Sequence, residues 1–318
     1  MTDATTTTRT LTTARPVARP GNRLLQRAEP YLYVLPAAIF VVAFLLYPMV
    51  LTVIRSFTHD DGITAPQFAG LQNFTDLFAD PHFLVSLNNT FIWTIAAVVL
   101  PVTLGLIFAI TLNGVRWSGF FKSIIYLPAT ISAAAVGILF SFIFGYDNGA
   151  LNSLLNVFGI HNVRWLFEAP INSYSMIGAY TWQSTGLNMM LFLVGLQGLP
   201  QEPLEAAKLD GCTGFSLVWR IIIPMLMPYV VIATLLAVVN GFKVFDQIWV
   251  MTAGGPDYAS ATLGTYLYSI AFGAMGASNS RLGYAAAIAI IILLLSIVVS
   301  MVQIRLGRRK DIDSQIEV

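Results

Sequence analysis

Long apolar runs separated by shorter polar segments dominate the pattern along this chain. A helix needs about 20 apolar residues to cross about 30 Å of hydrocarbon, and lipid leaves no backbone polar group unpaired. Continuous apolar runs favour helices over the alternating strands of a membrane barrel. The pattern therefore predicts an all-α, polytopic membrane protein with six transmembrane helices: Tyr31–Ile54, Asn89–Leu112, Ile124–Phe144, Tyr174–Leu199, Pro228–Met251 and Tyr284–Ile304.

Prolines occur inside several of these predicted spans. Neighbouring helices can satisfy the backbone carbonyls that proline leaves unpaired in a membrane. We therefore expect simple kinks at Pro36, Pro48, Pro101 and Pro128.

Composition agrees with a chain surrounded by lipid. The 318 residues are 56% hydrophobic and only 10% charged, whereas soluble domains carry about 25% charged residues. An ordinary cytosolic enzyme, a disordered protein and a nucleic-acid-binding protein are excluded. A single cysteine excludes a disulfide framework, and the three histidines are too far apart in sequence to predict a metal site.

Basic residues predict the orientation, because cytoplasmic segments of membrane proteins collect Lys and Arg. Most of the 17 Lys and Arg residues lie before the first span, after the second, after the fourth or after the sixth; the exceptions are Arg55, Arg164, Lys243 and Arg281. Both ends are therefore predicted to be cytoplasmic. We expect a disordered cytoplasmic tail at 1–30, a transmembrane domain at 31–305 and a second cytoplasmic tail at 306–318.

Three segments are predicted on the opposite side of the membrane, at 58–87, 146–172 and 252–281. The first contains FAGLQNFTDLF, whose amphipathic pattern predicts a short surface helix. All three are long enough to form a docking surface, and mere connection is an equally good interpretation.

The link at 200–227 is too polar to span and too regular for a flexible loop. Pro203 suits a first helical turn, and Asp210-Gly211 is a turn signal because glycine tolerates positive φ. A second helix, Phe215–Ile223, is expected to begin beneath Thr213 or Ser216 as its cap and to end at Pro224.

This pattern predicts a helix–turn–helix hairpin on the cytoplasmic side. Its small residues Ala206, Ala207 and Gly211 are expected to be exposed, so that a partner surface can approach closely. A hairpin that merely packs on its own bundle fits the pattern equally well.

EAAKLDG, followed by IIIPMLMP, resembles the EAA signature of permease subunits of bacterial ATP-binding-cassette importers. The matching residues are Glu205, Ala206, Ala207, Asp210, Gly211, Ile221, Pro224 and Pro228. Flanking segments also resemble carbohydrate-importer permeases, namely Val34–Pro48, Phe68–Phe74, Met189–Pro200 and Lys243–Pro256. The resemblance covers roughly Tyr31–Arg305. One departure is Cys212, where the family usually has alanine.

The resemblance implies a fold and an assembly. The hairpin would be a coupling helix that sits in a cleft of a cytoplasmic ATPase, with Glu205, Ala206, Ala207, Asp210 and Gly211 at the contact. The partners would be a second permease, two ATPase subunits, an extracytoplasmic substrate-binding protein, membrane lipid and a carbohydrate. The chain lacks the G-x-x-x-x-G-K-[ST] loop that cradles phosphate, so ATP and Mg²⁺ are expected on the ATPase. We expect no enzymatic activity and no cofactor in this chain.

Polar side chains within spans are costly, and they face a bundle interior or a water-filled cavity. By a rise of 1.5 Å per residue, Gln183 and Lys243 lie about 25 Å and about 22 Å from the cytoplasmic ends of their helices, at similar depth. The predicted substrate pathway comprises Tyr180, Gln183, Asn188, Asn240 and Lys243. Tyr180 is equally interpretable as an interfacial anchor, and Lys243 as an ion-pair partner of Asp246 on one helix face.

Two other functions fit parts of the sequence. An ion-coupled secondary transporter needs an ionisable relay at the midplane, and only Lys243 and Asp246 are available. A membrane enzyme acting on lipid-linked sugars would need clustered carboxylates for Mg²⁺, and Asp60-Asp61 is the one adjacent acidic pair in the sequence. The residues leave open whether the cargo is a sugar or a glycerol-phosphate compound.

Overall fold

The computed structural model of the chain describes residues 23–274 and 281–316, with burial given for residue 31 and residues 33–305 within them. Helices dominate these ranges. Numbered along the chain, the helices are α1 Arg23–Val41, α2 Tyr47–Ser56, α3 Gln72–Ala79, α4 Pro81–Thr111, α5 Ser118–Tyr126, α6 Ala133–Ile143, α7 Ala150–Asn156, α8 Ile171–Gln197, α9 Gln201–Leu209, α10 Gly214–Leu217, α11 Ile223–Met225, α12 Met227–Phe242, α13 Asp246–Thr252, α14 Leu263–Phe272 and α15 Leu282–Ile316.

A few short elements complete the described ranges. Strands β1 Thr58–His59 and β2 Gln67–Phe68 pair antiparallel, with Thr58 opposite Phe68. Two π-helical turns occupy Val42–Leu46 and Val218–Ile222, and a 3₁₀ turn occupies Leu127–Thr130.

The chain divides into two compact units, residues 1–51 and residues 52–318. In the described part of the first unit, α1, the π-helical turn Val42–Leu46 and the start of α2 follow one another without a gap. The side chains of residue 31 and of residues 33–50 are all exposed. An apolar helix without a polar face is typical of a membrane span or a protein core.

The second unit is built around α4, which packs along both α8 and α12. Glycines allow these backbones to approach closely. A Cβ on Gly105 of α4 would lie 2.6 Å from the Cβ of Asn188 in α8, and a Cβ on Gly241 of α12 would lie 2.6 Å from the Cα of Thr94 in α4. The three helices are therefore fixed by contact between backbones as well as by side-chain packing.

Asp80 ties the start of α4 to α14 and α15. Its carboxylate accepts the backbone N–H of His82 at 2.9 Å and the hydroxyl of Tyr284 at 2.8 Å, and it also accepts the hydroxyl of Tyr266. Burial opposes ionisation of Asp80, but these hydrogen bonds outweigh it and hold its pKa below the ordinary value. The carboxylate of Asp80 thus caps the N-terminus of α4 and joins it to α14 and α15.

The predicted span Ile124–Phe144 is broken. α5 and the 3₁₀ turn form one arm, α6 forms the other, and the two meet at 100°. The simple kink predicted at Pro128 is therefore wrong. The hydroxyl of Ser132 accepts the backbone N–H of Ala135 at 3.3 Å and starts α6 as a new helix.

The predicted span Pro228–Met251 is also broken, because α12 ends at Phe242 and α13 begins at Asp246. The hydroxyl of Thr262 donates to the carbonyl oxygen of Val244 at 3.1 Å. That bond satisfies a backbone group released by the break, as an irregular segment within a bundle requires.

Several boundaries differ from the prediction. α4 begins at Pro81, upstream of the predicted Asn89, and α14 lies inside the segment interpreted as an outer loop. α1 begins at Arg23, so residues 23–30 are helical rather than disordered, since their Leu, Gln, Arg, Ala and Glu are good helix formers. The rest of that tail, residues 1–22, lies outside the described residues. α15 continues through the predicted second tail to Ile316.

The all-α membrane class is confirmed. Within the described residues, three helical stretches are long and apolar enough to cross a membrane, Tyr33–Ser56, Pro81–Thr111 and Leu282–Arg305, and two bent helix pairs raise the count there to as many as five. α8, which occupies the predicted span Tyr174–Leu199, is 27 residues long but carries many polar residues and is not among them. The count of six stays a prediction. The short surface helix predicted in the segment 58–87 is confirmed as α3.

Candidate functional site

The turn between α9 and α10 has a defined backbone geometry. Gly211 has a φ of +81°, in the left-handed region that glycine favours. Its N–H donates to the carbonyl oxygen of Lys208 at 3.1 Å, and the N–H of Cys212 donates to that of Ala207 at 2.9 Å. These two bonds are the Schellman motif of a helix C-terminus. The predicted Asp210-Gly211 turn is therefore present, and it ends α9 sharply.

Large apolar side chains project from this hairpin. Leu209, Phe215 and Trp219 are 89%, 79% and 63% exposed, and the last two rings stack with centroids 6.0 Å apart. Polar and charged residues lie between these three side chains in the sequence. Burying this surface in lipid hydrocarbon would therefore be costly. An exposed apolar patch with polar neighbours is typical of a protein–protein contact. Leu209, Phe215 and Trp219 are called the hairpin patch below.

Ala207 is buried, and the prediction that it is exposed is wrong. It is 8% exposed, and Leu204 on the same face packs against the buried cluster between α4, α8 and α12. Residues three apart share a helix face, so this face of α9 is taken up by the bundle. Glu205, Ala206, Asp210 and Gly211 are exposed.

The second arm of the hairpin differs from the single helix predicted at Phe215–Ile223. α10 is followed by the π-helical turn Val218–Ile222 and by α11, which contains Pro224. The wider turn accommodates the proline, whose ring would clash with a carbonyl four residues earlier in an α-helix. The arm therefore ends at Met225, after Pro224, and bends by 68° into α12. Thr213 precedes α10 as predicted, but its side chain makes no capping hydrogen bond.

A cavity of about 300 Å³ lies beside the middle of α8, where α6 and α13 begin. Four of the five residues of the predicted pathway contribute to its wall. The lining residues are Ala129, Ala133, Tyr180, Gln183, Ser184, Leu187, Asn240, Lys243, Val244, Phe245, Asp246 and Gln247. The helix breaks that the sequence analysis missed thus supply much of the wall.

The fifth residue, Asn188, lines a second cavity of about 300 Å³ between α4, α8 and α12. The two cavities share four lining residues, Tyr180, Ser184, Leu187 and Asn240. The side-chain amide of Asn188 donates to the carbonyl oxygen of Ser184 at 3.0 Å. The structure therefore brings the five predicted residues together along one side of α8, in two adjoining cavities.

Gln183 is held at both ends of its amide group. Its Nε2 donates to the backbone carbonyl of Ile131 at 2.7 Å, and its Oε1 accepts from Nε2 of Gln247 at 2.7 Å. By contrast, Asn240 and Lys243 are exposed. Asn240 offers a side-chain amide at the wall of both cavities, where hydrogen bonding to a solute is geometrically open.

The proposed ion pair between Lys243 and Asp246 on one helix face is wrong. α12 ends one residue before Lys243, and α13 begins at Asp246, so the regular spacing of a helix face does not apply. No ion pair joins the two within residues 23–274 and 281–316.

Tyr180 packs edge-to-face against Trp93, with ring centroids 5.8 Å apart, inside the unit.

Gln247 was missed by the sequence analysis. It is 2% exposed, lines the first cavity and contacts Gln183. The signal was available, because Gln247 is a polar residue in a span that already contained Asn240 and Lys243, and the cost of burying such groups applies to it equally.

Comparisons with known proteins agree with this architecture. A family model described as "Binding-protein-dependent transport system inner membrane component" matches residues 101–312. The "Probable ABC transporter permease protein YurN" of Bacillus subtilis is 33% identical over 87% of this chain and 94% of its own length. The "Multiple sugar-binding transport system permease protein MsmF" of Streptococcus mutans is 30% identical over 91% and 99%.

A solved structure has a similar fold. One chain of a bacterial alginate ABC transporter, crystallised "in complex with alginate pentasaccharide-bound periplasmic protein", superposes with a TM-score of 0.78. It is 21% identical, and the match covers 91% of this chain and 98% of that one. At this identity the match speaks for the shared fold alone.

Proposed function

The chain belongs to the family of binding-protein-dependent transport system inner membrane components, and from this premise we propose that it carries carbohydrates across the membrane as a permease subunit of an ATP-driven importer. The name of the MsmF relative, which is similar over nearly the whole chain, supports sugar as the class of cargo. The observation that carries the proposal is the hairpin, which presents an apolar patch beside a glycine turn. A membrane component that lacks a phosphate-binding loop depends on a separate ATPase. It needs a contact surface through which the movement of that ATPase is transmitted.

The coupling contact would comprise Glu205, Ala206, Asp210 and Gly211, which are exposed, together with the hairpin patch. Ala207 would contribute from beneath, because its burial anchors α9 to the bundle. A rigid Schellman turn suits this role, since a displaced hairpin then moves α12 with little internal deformation.

The assembly would follow from the family. A second permease would complete the pathway, two ATPase subunits would bind ATP and Mg²⁺, and an extracytoplasmic substrate-binding protein would deliver the cargo. Both termini and the hairpin would face the cytoplasm, as the distribution of Lys and Arg predicts.

The substrate pathway would run along α8 past Tyr180, Gln183, Asn188, Asn240 and Lys243. Amide groups and flat apolar rings are the groups that orient a polyhydroxylated ligand in a pocket. Closure of the ATPases would move the hairpin and rock the helices, so that the cavities open alternately to the two sides. An ion-coupled secondary transporter is not supported, because the family and the relatives are ABC permeases.

Uptake of labelled oligosaccharides by cells that express the chain with its partner subunits tests this proposal. We expect uptake to disappear when the phosphate-binding lysine of the ATPase is replaced by alanine. We also expect it to survive a protonophore as long as cellular ATP is maintained. Uptake that persists with the inactive ATPase and stops with the protonophore would overturn the proposal in favour of ion coupling.

A further inference from the structure

Two helix breaks meet across α8. The first lies between the 3₁₀ turn Leu127–Thr130 and α6, and the second lies between α12 and α13. Gln183, near the middle of α8, is hydrogen-bonded to both: to the carbonyl of Ile131 in the first, and to Gln247 immediately after the second. One side chain on a continuous helix therefore fixes the position of two discontinuous ones.

The orientation of the amides follows from the acceptor at one end. A backbone carbonyl can only accept, so the NH₂ group of Gln183 must face Ile131. Its oxygen then faces Gln247, which must present its own NH₂ group. The oxygen of Gln247 is left over, and this buried Oε1 has no hydrogen-bond partner among the described residues.

An unsatisfied buried acceptor indicates that the arrangement carries a cost. Buried polar groups are nearly always paired, and a partly satisfied network in a low dielectric is unfavourable. The network thus joins α8 to the segment before α6 and to α13. It leaves the Oε1 atom of Gln247 without a partner, and another arrangement of the helices could satisfy that acceptor. A group with these properties suits a contact that opens and closes.

We propose that Gln183 and Gln247 form an amide latch that holds the two helix breaks together in the resting transporter and releases them during transport. The proposal rests on the proposed function and changes the role of one pathway residue. Gln183 acts as a positioning residue, because both ends of its amide are engaged by the protein. Direct contact with the solute falls to Asn240, Tyr180 and Ser184, which line both cavities.

Thiol labelling in the assembled transporter, without solute or ATP, tests the latch. The single native cysteine is removed by Cys212→Ala, and Val244→Cys then reports on the second break, where Val244 is 8% exposed. A small membrane-permeant maleimide is the probe. Since one hydrogen bond shifts an equilibrium by a factor of about 2 to 10, Gln183→Leu is expected to raise the labelling rate by about that factor.

The partner variant makes the test specific. Gln247→Leu should also raise labelling, and the double variant should raise it no further than Gln183→Leu alone, because Gln183→Leu already removes the contact between the two side chains. Gln197→Leu, at the exposed end of the same helix, should leave the rate unchanged. A merely structural role would also expose Val136→Cys, a position with 0% exposure in α6, and we expect that site to stay unlabelled.

Unchanged labelling in both single variants, multiplying effects in the double variant or parallel labelling at Val136→Cys would each overturn the latch. None of these results depends on uptake. A chain that fails to support ATP-dependent uptake but shows coupled labelling would refute the proposed function and leave the latch intact.

Discussion

In the hairpin, Gly211 has a φ of +81° and nothing lies within 4 Å of where its Cβ would be. In α8 the situation is reversed. Gly186 lies in an ordinary helical turn, but a Cβ there would lie 2.3 Å from the carbonyl oxygen of Ile125 and 2.7 Å from the Cα of Tyr126. Glycine is required for backbone conformation at the first site and for space at the second.

This difference separates how the two regions are specified. The turn of the hairpin is fixed by its own local bonds, and the large side chains on its exposed side are free to contact another protein. The bundle is fixed by close approach between elements, so its polar groups point inward and bond to one another. Substitutions should therefore damage recognition in the hairpin and folding in the bundle.

The largest effect is expected from Gly186→Ala. The new methyl group would overlap backbone atoms that cannot rotate away, and overpacking of this kind costs about 3 kcal/mol. We expect a large loss of protein in the membrane and a lower unfolding temperature in detergent. Gly178→Ala on the same helix, with nothing within 4 Å, is the matched control. Equal stability of the two variants would contradict the close contact.

Next in size is Gly211→Val, which should abolish uptake while leaving the protein folded and inserted. A β-branched residue in the left-handed region costs about 1–2 kcal/mol or more, and the turn would rearrange locally. Uptake assays and membrane quantification distinguish the two outcomes. Gly119→Ala, an open position without positive φ, should transport normally. Wild-type uptake by Gly211→Val would show that the turn geometry is dispensable.

A smaller effect is expected from Phe215→Ser combined with Trp219→Ser. Exposed side chains contribute little to folding, so the free energy of unfolding should change by no more than about 0.5 kcal/mol. Retention of the ATPase during purification should fall by at least tenfold, because apolar aromatics dominate contact energies. Phe158→Ser, at another exposed aromatic, should retain the ATPase. Equal retention in all variants would place the contact elsewhere.

The smallest effect is expected from Asn240→Ala. Loss of one hydrogen bond of about 1 kcal/mol should raise the solute concentration for half-maximal uptake about fivefold, with little change in maximal rate. Asn113→Ala, at an exposed position just after α4, is the control. An unchanged concentration dependence would remove Asn240 from the solute contact.

Sequence patterns indicated the helices and the hairpin turn because these depend on local chemistry. The pair Asp210-Gly211 favours its turn in any context, and the matching residues around it identified the family. The helix breaks depend on tertiary partners. Pro101 lies inside the unbroken α4, whereas Pro128 lies in the 3₁₀ turn that precedes a break. Proline alone therefore does not distinguish the two outcomes.

The candidate pathway followed from the cost of burying polar groups, and the structure gathers its residues. The network around Gln183 did not follow, because its acceptor is a backbone carbonyl exposed only by a break. Ala207 was misjudged for a related reason: an alanine in an amphipathic helix suits either face, and the neighbouring Leu204 decides which face the bundle covers.

The π-helical turns have a geometric consequence for the hairpin. In each, an N–H reaches back five residues, from Ile223 to Val218 and from Tyr47 to Val42, shortly before a proline. Successive side chains of an α-helix are rotated by about 100° around its axis. The one extra residue of a π-helical turn therefore changes the direction of all the side chains that follow it. Removing one residue from Val218–Ile222 would rotate Phe215 relative to α11 by about that angle, around the axis of the arm that α10 and α11 form. The direction in which the exposed side chains of the hairpin point thus depends on the number of residues in the π-helical turn.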